Sequence, residues 1–508
     1  MRHLFYKFAI VSSLLVGALA FFLHNPNILW IFALLGPLIL VGLMNSMQGK
    51  HAILKNFPIL GYFRYLFELI APEIQQYFIE RNTDGKPFSR NHRALVYKRA
   101  KGVNDTYPFG TQSEILDDHY EGLRHSIYAK EPVEEFPRVT VGSSLCKQPY
   151  SASVLNISAM SFGSLSKNAI LALNTGAKKG DFYHNTGEGG LSDYHIEPGG
   201  DLVWQLGTGY FGCRTQDGTF EPKKFKEKAA IPSVKMIEIK LSQGAKPGHG
   251  GVLPGIKNTL EIARMRDIEP YQTVISPPSH NHFNDAKGLI HFVKELRDLS
   301  EGKPIGFKLC IGRTEEFIEL CEVMKTEGIW PDFITVDGAE GGTGAAPLEF
   351  ADSVGVPLEP ALIFVQSTLK KYGLRDEIKV IASGKVLTAF SILRMKALGA
   401  DICNSARAFM FSLGCIQALK CNSNDCPTGV ATQDAELAKG LAVTDKSERV
   451  YRFHHNTVVA VLELLGTCGL KHTEEISIDM FVKGDEMVTL SNRYFPDSLL
   501  NRVDDTTG

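Results

Sequence analysis

The sequence predicts an α/β protein built on a (β/α)8 TIM barrel and preceded by an N-terminal two-helix transmembrane hairpin. Three observations predict it. Eight short β-branched or apolar runs each end in Gly, Ser, Asn or Pro, helix-patterned segments lie between them, and two uncharged apolar runs open the chain. Eight βα units close naturally into a barrel, with an open doubly wound sheet as the alternative. The length agrees, because 508 residues suit a barrel of about 250 residues or more with attached segments.

The apolar runs cover residues 8–23 and 28–44 and are separated by His24-Asn25-Pro26-Asn27. Each is near the minimum length for a membrane-spanning helix. Arg2 and Lys7 precede the pair, Lys50, Lys55 and Arg64 follow it, and the connecting loop holds neither Lys nor Arg. That asymmetry expects a two-pass arrangement in the cell membrane with the catalytic domain on the cytoplasmic side. A cleaved signal peptide is the alternative, with Ala18-Leu19-Ala20 as a cleavage-like site, but the second run following at once argues against it. The expected organisation is a hairpin over 1–45, a lead-in segment over 46–147 packing on the barrel, the barrel over 148–475 and a tail over 476–508.

A hydrophobic content of 44%, a charged content of 22% and a formal net charge of -2 are ordinary for a globular domain and offer no polyanion-binding signal, so nucleic acid is not expected as a partner. Nine cysteines in a chain this long do not form a disulfide scaffold, and a cytoplasmic location keeps them reduced. Cys146, Cys213, Cys310, Cys321, Cys403 and Cys468 are scattered and read as small buried hydrophobes.

The expected strands are 154–160, 182–186, 236–241, 273–276, 305–309, 333–337, 380–383 and 401–405, with amphipathic helices over 286–299, 314–327 and 388–398. Polar and glycine residues crowd the strand ends where barrel enzymes build their sites. They include Ser158-Ala159-Met160-Ser161-Phe162-Gly163, Asn185-Thr186-Gly187-Glu188-Gly189-Gly190, Lys240 to Gly248, and Asp337-Gly338-Ala339-Glu340-Gly341-Gly342-Thr343-Gly344. Glycines there let backbone amides approach a planar or phosphorylated ligand, which implies a large cofactor; simple chain turning is the alternative for any one loop.

Ser383-Gly384-Lys385 and Asn404-Ser405-Ala406-Arg407 follow the last two expected strands, where barrels commonly bind phosphate, and this suits the phosphate of FMN. Lys308, at the end of the fifth expected strand, points toward the same mouth, where a cation stabilises negative charge on a reduced flavin; a solvent-snorkelling lysine is the alternative. Cys415, Cys421 and Cys426 cluster within a dozen residues. Three closely spaced thiolates favour a three-iron or incomplete four-iron cluster, with zinc as a rival that normally wants a fourth Cys or His.

These motifs, with Glu238-Ile239-Lys240, Gln243-Gly244-Ala245-Lys246-Pro247-Gly248, Ser276-Pro277-Pro278 and Gly429-Val430-Ala431-Thr432-Gln433, resemble the FMN-binding synthase domain of glutamate synthases over residues 151–433. The cysteine segment resembles that family's 3Fe-4S site. The resemblance implies reductive amination of 2-oxoglutarate with ammonia, using electrons that reach FMN through the cluster. It assigns Lys240, Lys246 and Arg266 to the oxo-acid and flavin surroundings and Glu188 to proton transfer or ammonia handling, with a loop-stabilising carboxylate as the alternative. Ala159, Met160, Ser161, Gln243, Lys308, Gly341 to Gly344, Ser383 to Lys385 and Ser405 to Arg407 fall on the cofactor side. Two lysines and an arginine also suit a dicarboxylate electrostatically.

Several positions depart from the family pattern. Glu340 replaces an aspartate, Tyr210 an arginine, His249 a glutamate and Val252 a glutamine. No glutamine amidotransferase domain precedes the barrel, so ammonia is expected free or from a partner. No Gly-x-Gly-x-x-Gly fingerprint follows a strand, so a ferredoxin-like donor or a separate reductase is expected instead of a direct nicotinamide site. Two other readings stand beside this one: a flavoenzyme for another oxo or amino acid, and a membrane electron-transfer module without small-molecule turnover.

Overall fold

The structure, a computed structural model, describes residues 1–116, 120–482 and 484–495. Of the expected tail over 476–508, residues 483 and 496–508 lie outside the described residues. The chain divides into two compact units, Met1–Pro87 and Phe88–Gly508.

In the first unit, helices Arg2–Phe22 and Ile31–Met47 are joined by a 3-10 turn, Pro26–Trp30. Asn25 caps the turn by accepting from the Asn27 N–H at 3.1 Å. At 1.5 Å per residue, a helix of 21 residues is roughly 30 Å long, the thickness of a bilayer's hydrocarbon core. Both apolar segments are long and apolar enough to cross a membrane. They pack closely at Gly42, where a Cβ would meet the Phe5 ring at 2.1 Å. Most of their remaining large apolar side chains face outward.

The second unit is a closed parallel barrel. Its strands are β1 (Leu155–Ile157), β2 (His184–Asn185), β3 (Leu202–Leu206), β4 (Val234–Lys240), β5 (Ile305–Leu309), β6 (Phe333–Asp337), β7 (Lys379–Ser383) and β8 (Ile402–Ser405). β8 closes on β1 with Cys403 opposite Leu155 and Ser405 opposite Ile157. Nearly every strand residue is buried, as expected where helices cover a parallel sheet.

The expected count of eight strands holds, but one member differs. Residues 273–276 do not enter the barrel: Val274–Ile275 pairs antiparallel with Val252–Leu253 in a separate two-stranded ribbon, and Ile275 is exposed. The missing member is β3, Leu-Val-Trp-Gln-Leu, which follows β2 through only a one-turn helix, Asp193–Ile196. Without a long crossover helix, the usual βα rhythm is absent at that point.

A second ribbon, Arg138–Val141 with Tyr150–Ser153, plugs the N-terminal end of the barrel. Val141 and Ala152 pack there with Tyr183, Val203, Met236, Phe333, Ile381 and Ile402. This leaves the C-terminal mouth as the end free to form a site. Around the barrel, helices Lys167–Gly180 and Val443–Thr467 meet so closely at Gly176 that a Cβ there would lie 2.7 Å from the Ser447 carbonyl oxygen. Helix Arg90–Lys101 packs alongside, with the Tyr97 hydroxyl donating to the Cys415 carbonyl at 2.6 Å.

The assignment of β3 is directly testable. Trp204 is fully buried and stacks on Phe225 with ring centroids 5.2 Å apart, so Trp204→Ala should lower unfolding free energy by about 3–5 kcal/mol in denaturant titrations. Ile275→Ala, in the exposed ribbon, should change it by less than about 0.5 kcal/mol.

Candidate active site

Four cations from different elements are buried at the C-terminal mouth: Lys240, Lys246, Arg266 and Lys308. Burying one unpaired charge is costly, so four in one place require anions or a ligand to match them. Glu188 answers Lys240 directly, with the ammonium donating to Oε1 at 2.6 Å. The Glu188 side chain lies between two glycines: a Cβ at Gly207 would meet Oε2 at 2.6 Å, and one at Gly251 would meet Oε1 at 2.5 Å. Its own loop bends at Gly187, whose φ of 65° favours glycine.

Beneath this pair, Glu238 ties four strands together. It accepts from Asn185 Nδ2 at 2.9 Å, Gln205 Nε2 at 2.6 Å and Thr335 Oγ1 at 2.6 Å. Asp337 faces Lys308 at 3.6 Å and accepts from the Gly244 N–H at 2.9 Å. Gly244 itself tolerates no side chain, since a Cβ would lie 1.7 Å from the Gly338 carbonyl oxygen.

The charges are mutually set. Burial pushes the Glu188 carboxyl up, but Lys240, Lys246 and Lys308 outweigh it and hold the group below the ordinary glutamate value. Burial lowers Lys240, and nearby Lys308 adds to that while Glu188 opposes it. Lys246 is likewise lowered by burial and by Lys240. Lys308 goes the other way: burial opposes its charge, yet Asp337, Glu238 and Glu188 keep its pKa raised. Arg266 is brought down to about 10 by burial, with Glu188 opposing. It donates to the Phe162 carbonyl at 2.9 Å and lies 5.2 Å from the Phe211 ring centroid, while its buried Nε has no hydrogen-bond partner among the described residues.

The expected cofactor-side residues ring the same mouth. Met160 and Ser161 leave β1 beside Gly187, where a Cβ would meet the Ser161 nitrogen at 2.9 Å, and Ala159 precedes them. The Gln243 carbonyl accepts from Lys246 N–H at 3.2 Å and shapes that turn. Ser158 Oγ and Ser383 Oγ meet at 3.5 Å across the ends of β1 and β7. Lys385 takes a φ of 51° just after Gly384, and Ser405 Oγ donates to the Val386 carbonyl at 2.6 Å, so both candidate phosphate loops adjoin. Ala406 leads into Arg407, which donates to the Glu340 carbonyl at 2.9 Å; burial lowers the Arg407 pKa to about 10. Gly341 is half-buried, whereas Gly342, Thr343 and Gly344 are exposed at the rim. A backbone cradle closed to side chains, with partly unanswered buried cations around it, fits a planar anionic group such as FMN.

The positions that depart from the family pattern do different things. The Glu340 carboxylate accepts from the Leu358 N–H, its oxygens 3.2 and 3.1 Å away, at the start of helix Leu358–Lys371. Tyr210 is fully buried, and its hydroxyl lies 2.8 Å from Nδ1 of His280. His280 Nε2 lies 2.9 Å from the Lys240 carbonyl, so the tyrosine braces the lysine's backbone through the imidazole. His249 packs edge-on against Phe350 at 5.3 Å, and Val252 is half-buried in the separate two-stranded ribbon.

Cys415, Cys421 and Cys426 lie on one irregular segment beside the mouth. Among the described residues no three His, Cys, Asp or Glu side chains close on a single metal ion. Three cysteines on one short segment are the donor type that an iron–sulfur cluster would take. Burial pushes the Cys415 thiol up to about 12, and the Cys421 and Cys426 charges add to this. At Cys426 burial is outweighed by hydrogen bonds from Thr428, Val430 and Ala431, which favour the thiolate.

Several contacts that no local pattern reveals fasten this segment to the β1 loop. Ser166 Oγ donates to the Gly429 carbonyl at 2.7 Å, and Gln433 Nε2 donates to the carbonyls of Gly163 and Leu165 at 3.2 and 2.8 Å. Lys257 donates to the carbonyls of Ser164 and Cys421 at 3.0 and 2.9 Å. Lys257 and His280 have backbone carbonyl partners far off in sequence, so no spacing rule marks them. The proline pair before His280 was the only nearby signal.

Residues 117–471 match the family described as the conserved region in glutamate synthase. The chain is 38% identical over 464 residues to a glutamate synthase large subunit-like protein, YerD, of Bacillus subtilis, covering 83% of this chain and 88% of that one. It is 35% identical over 321 residues to an archaeal glutamate synthase (NADPH) of Methanocaldococcus jannaschii, covering 63% of this chain and 60% of that one. The match thus spans less than two thirds of the archaeal relative. Among solved structures, the recombinant flavin-binding domain of baker's yeast flavocytochrome b2 aligns with a TM-score of 0.42 at 14% identity, covering 86% of this chain and 90% of that one.

Breaking the Lys240–Glu188 pair from one side leaves a buried ammonium. Glu188→Gln should therefore destabilise the protein by about 3–5 kcal/mol, and adding Lys240→Met should recover most of it in denaturant titrations. Because the folded carboxyl lies below its unfolded value, its stabilising contribution is full above about pH 4.3 and is lost as pH falls through the folded value. Acid-unfolding curves of Glu188→Gln should lack that component.

Proposed function

Since the chain belongs to the glutamate synthase family, we propose that it is an FMN- and 3Fe-4S-dependent oxidoreductase that forms glutamate from 2-oxoglutarate and ammonia with an external electron donor. The observation that carries this reading is the buried cationic pocket of Lys240, Lys246 and Arg266 with Glu188 beside it. A dicarboxylate supplies the negative charge that such a pocket lacks.

FMN supplies hydride chemistry when bound, and the cluster supplies one-electron relay. The chain's own residues do the rest. Lys246 and Arg266 hold the substrate carboxylates and orient the 2-oxo carbon. Ammonia adds at that carbon and water leaves, giving the 2-imino acid; two electrons and two protons then convert the imine to the amine. Glu188, kept ionised by its lysines, accepts a proton from the incoming ammonium, and Lys240 steadies the carboxylate. The loops at Ser383 to Lys385 and Ser405 to Arg407 would hold the flavin phosphate, with Ala159 to Ser161, Gln243, Lys308 and Gly341 to Gly344 on the cofactor side. Cys415, Cys421 and Cys426 hold the cluster.

The two N-terminal helices anchor the protein in the cell membrane, and the flanking Lys and Arg residues keep the barrel on the cytoplasmic side. The electron donor is a ferredoxin-like protein or a separate reductase. Ammonia is free or arrives from a partner. A second reading, a different oxo acid as substrate, is favoured by one observation: Tyr210, standing where the family pattern has an arginine, is committed to His280 and offers no charge.

Purified detergent-solubilised protein should show flavin absorption and a three-iron EPR signal together, and Cys421→Ser should lose the EPR signal while keeping the flavin. After chemical reduction, 2-oxoglutarate with ammonia should reoxidise the flavin and yield glutamate, and Lys246→Met should raise the apparent KM for 2-oxoglutarate at least tenfold. Neither reoxidation nor glutamate in cluster-replete protein would sink the synthase reading, and reoxidation by another oxo acid alone would establish the second.

A further inference from the structure

Lys257 is among the largest fully buried side chains of the protein, at 2% exposure. It ends the short 3-10 turn Gly255–Lys257, just past the exposed ribbon, yet its side chain runs inward. Its ammonium is held by two carbonyl oxygens, Ser164 at 3.0 Å and Cys421 at 2.9 Å. Among the described residues it forms no ion pair with a carboxylate; burial brings its pKa down to about 8, and the nearby thiols of Cys421 and Cys426 oppose that shift. A buried ammonium without a carboxylate is unfavourable unless another anion answers it. Metal-bound thiolates of the cysteine segment would supply that anion.

The two carbonyls belong to two functional loops. Ser164 lies in the β1 loop that begins at Ser158, and Cys421 lies in the cysteine segment, which also passes close to Gly344, where a Cβ would lie 3.9 Å from that of Cys421. Lys257 therefore bolts the expected flavin loop to the expected cluster loop with a positive charge at the seam.

We propose that Lys257 is a positioning residue whose buried charge raises the reduction potential of the iron–sulfur cluster. The proposal rests on the reading of Cys415, Cys421 and Cys426 as cluster ligands. A cluster held there would carry one more negative charge when reduced by the external low-potential donor, and the fixed Lys257 cation in a low-dielectric seam would favour that state. Removing the charge shifts the one-electron equilibrium toward the oxidised cluster. The serine and glutamine contacts of Ser166 and Gln433 already join the same loops, so the lysine's distinctive contribution is its charge.

The test is an EPR-monitored redox titration, with dithionite and mediators, of the full chain in detergent as wild type, Lys257→Met, Lys257→Gln and Lys257→Arg. The two neutral variants should shift the oxidised-to-reduced ratio at a given solution potential about tenfold toward oxidised, a midpoint lower by about 60 mV for one electron. Lys257→Arg should stay within about threefold of wild type. Cluster-bearing neutral variants with an unchanged midpoint would overturn the proposal. So would a wild-type midpoint in Lys257→Gln with a shifted one in Lys257→Met, which would mean that the hydrogen bond matters and the charge does not. Failure of both neutral variants to fold, while Lys257→Arg folds, would reduce the residue to a structural bolt. A wild-type protein that holds flavin but no cluster signal overturns the cluster reading itself and is recognised before any variant is compared.

Discussion

The mouth of this barrel depends on one buried ion pair, Lys240 with Glu188 at 2.6 Å. Much around it exists to make that pair affordable in free energy. Gly207 and Gly251 leave room for the carboxylate, Gly187 turns the loop that carries it, and His280, itself braced by Tyr210, engages the lysine's carbonyl. Below, Glu238 gathers β2, β3, β4 and β6 through three hydrogen bonds, so the floor under the pair is polar but satisfied, as a buried network must be. One pair does not neutralise the pocket. Among the described residues, Lys246 and Arg266 have no carboxylate of their own in hydrogen-bond contact, and an acidic ligand would relieve that excess.

A second constraint is mechanical. The β1 loop and the cysteine segment are separated by some 250 residues of sequence, yet Ser166, Gln433 and Lys257 join them by side chain to carbonyl bonds. Such bonds fix backbone positions without depending on the side chains of the partner, so the two loops keep their spacing while their outward residues serve chemistry.

The parts of the fold that were legible in sequence are those with local cause. Seven of the eight barrel strands carried a β-branched run followed by a turn residue, and a parallel strand covered on both faces leaves that trace. β3 escaped because its connection from β2 holds only a one-turn helix, and residues 273–276 imitated a strand because a short apolar run before two prolines reads alike in a barrel and in an exposed hairpin. Much of the site was legible too: the Gly-Glu-Gly-Gly loop, the lysines after β4 and the three cysteines sit in motifs whose residue types state their chemistry. Tyr210 reads in sequence as a substrate-side change, and its hydrogen bond to His280, which no local pattern reveals, makes it a brace as well.

By itself, the sequence determined the barrel, the two apolar N-terminal helices, the list of cations and carboxylates at the strand ends, and the cysteine trio, because each follows from periodicity or short spacing along the chain. Only the tertiary structure decided which charges pair, that Glu340 meets the start of a helix while Glu188 meets a lysine, and that Lys257 reaches both functional loops. Those outcomes turn on hydrogen bonds to backbone carbonyls and on carboxylates brought together from distant strands. Every residue has a carbonyl and local sequence does not say which one will be near, so such partners become visible only once the barrel closes.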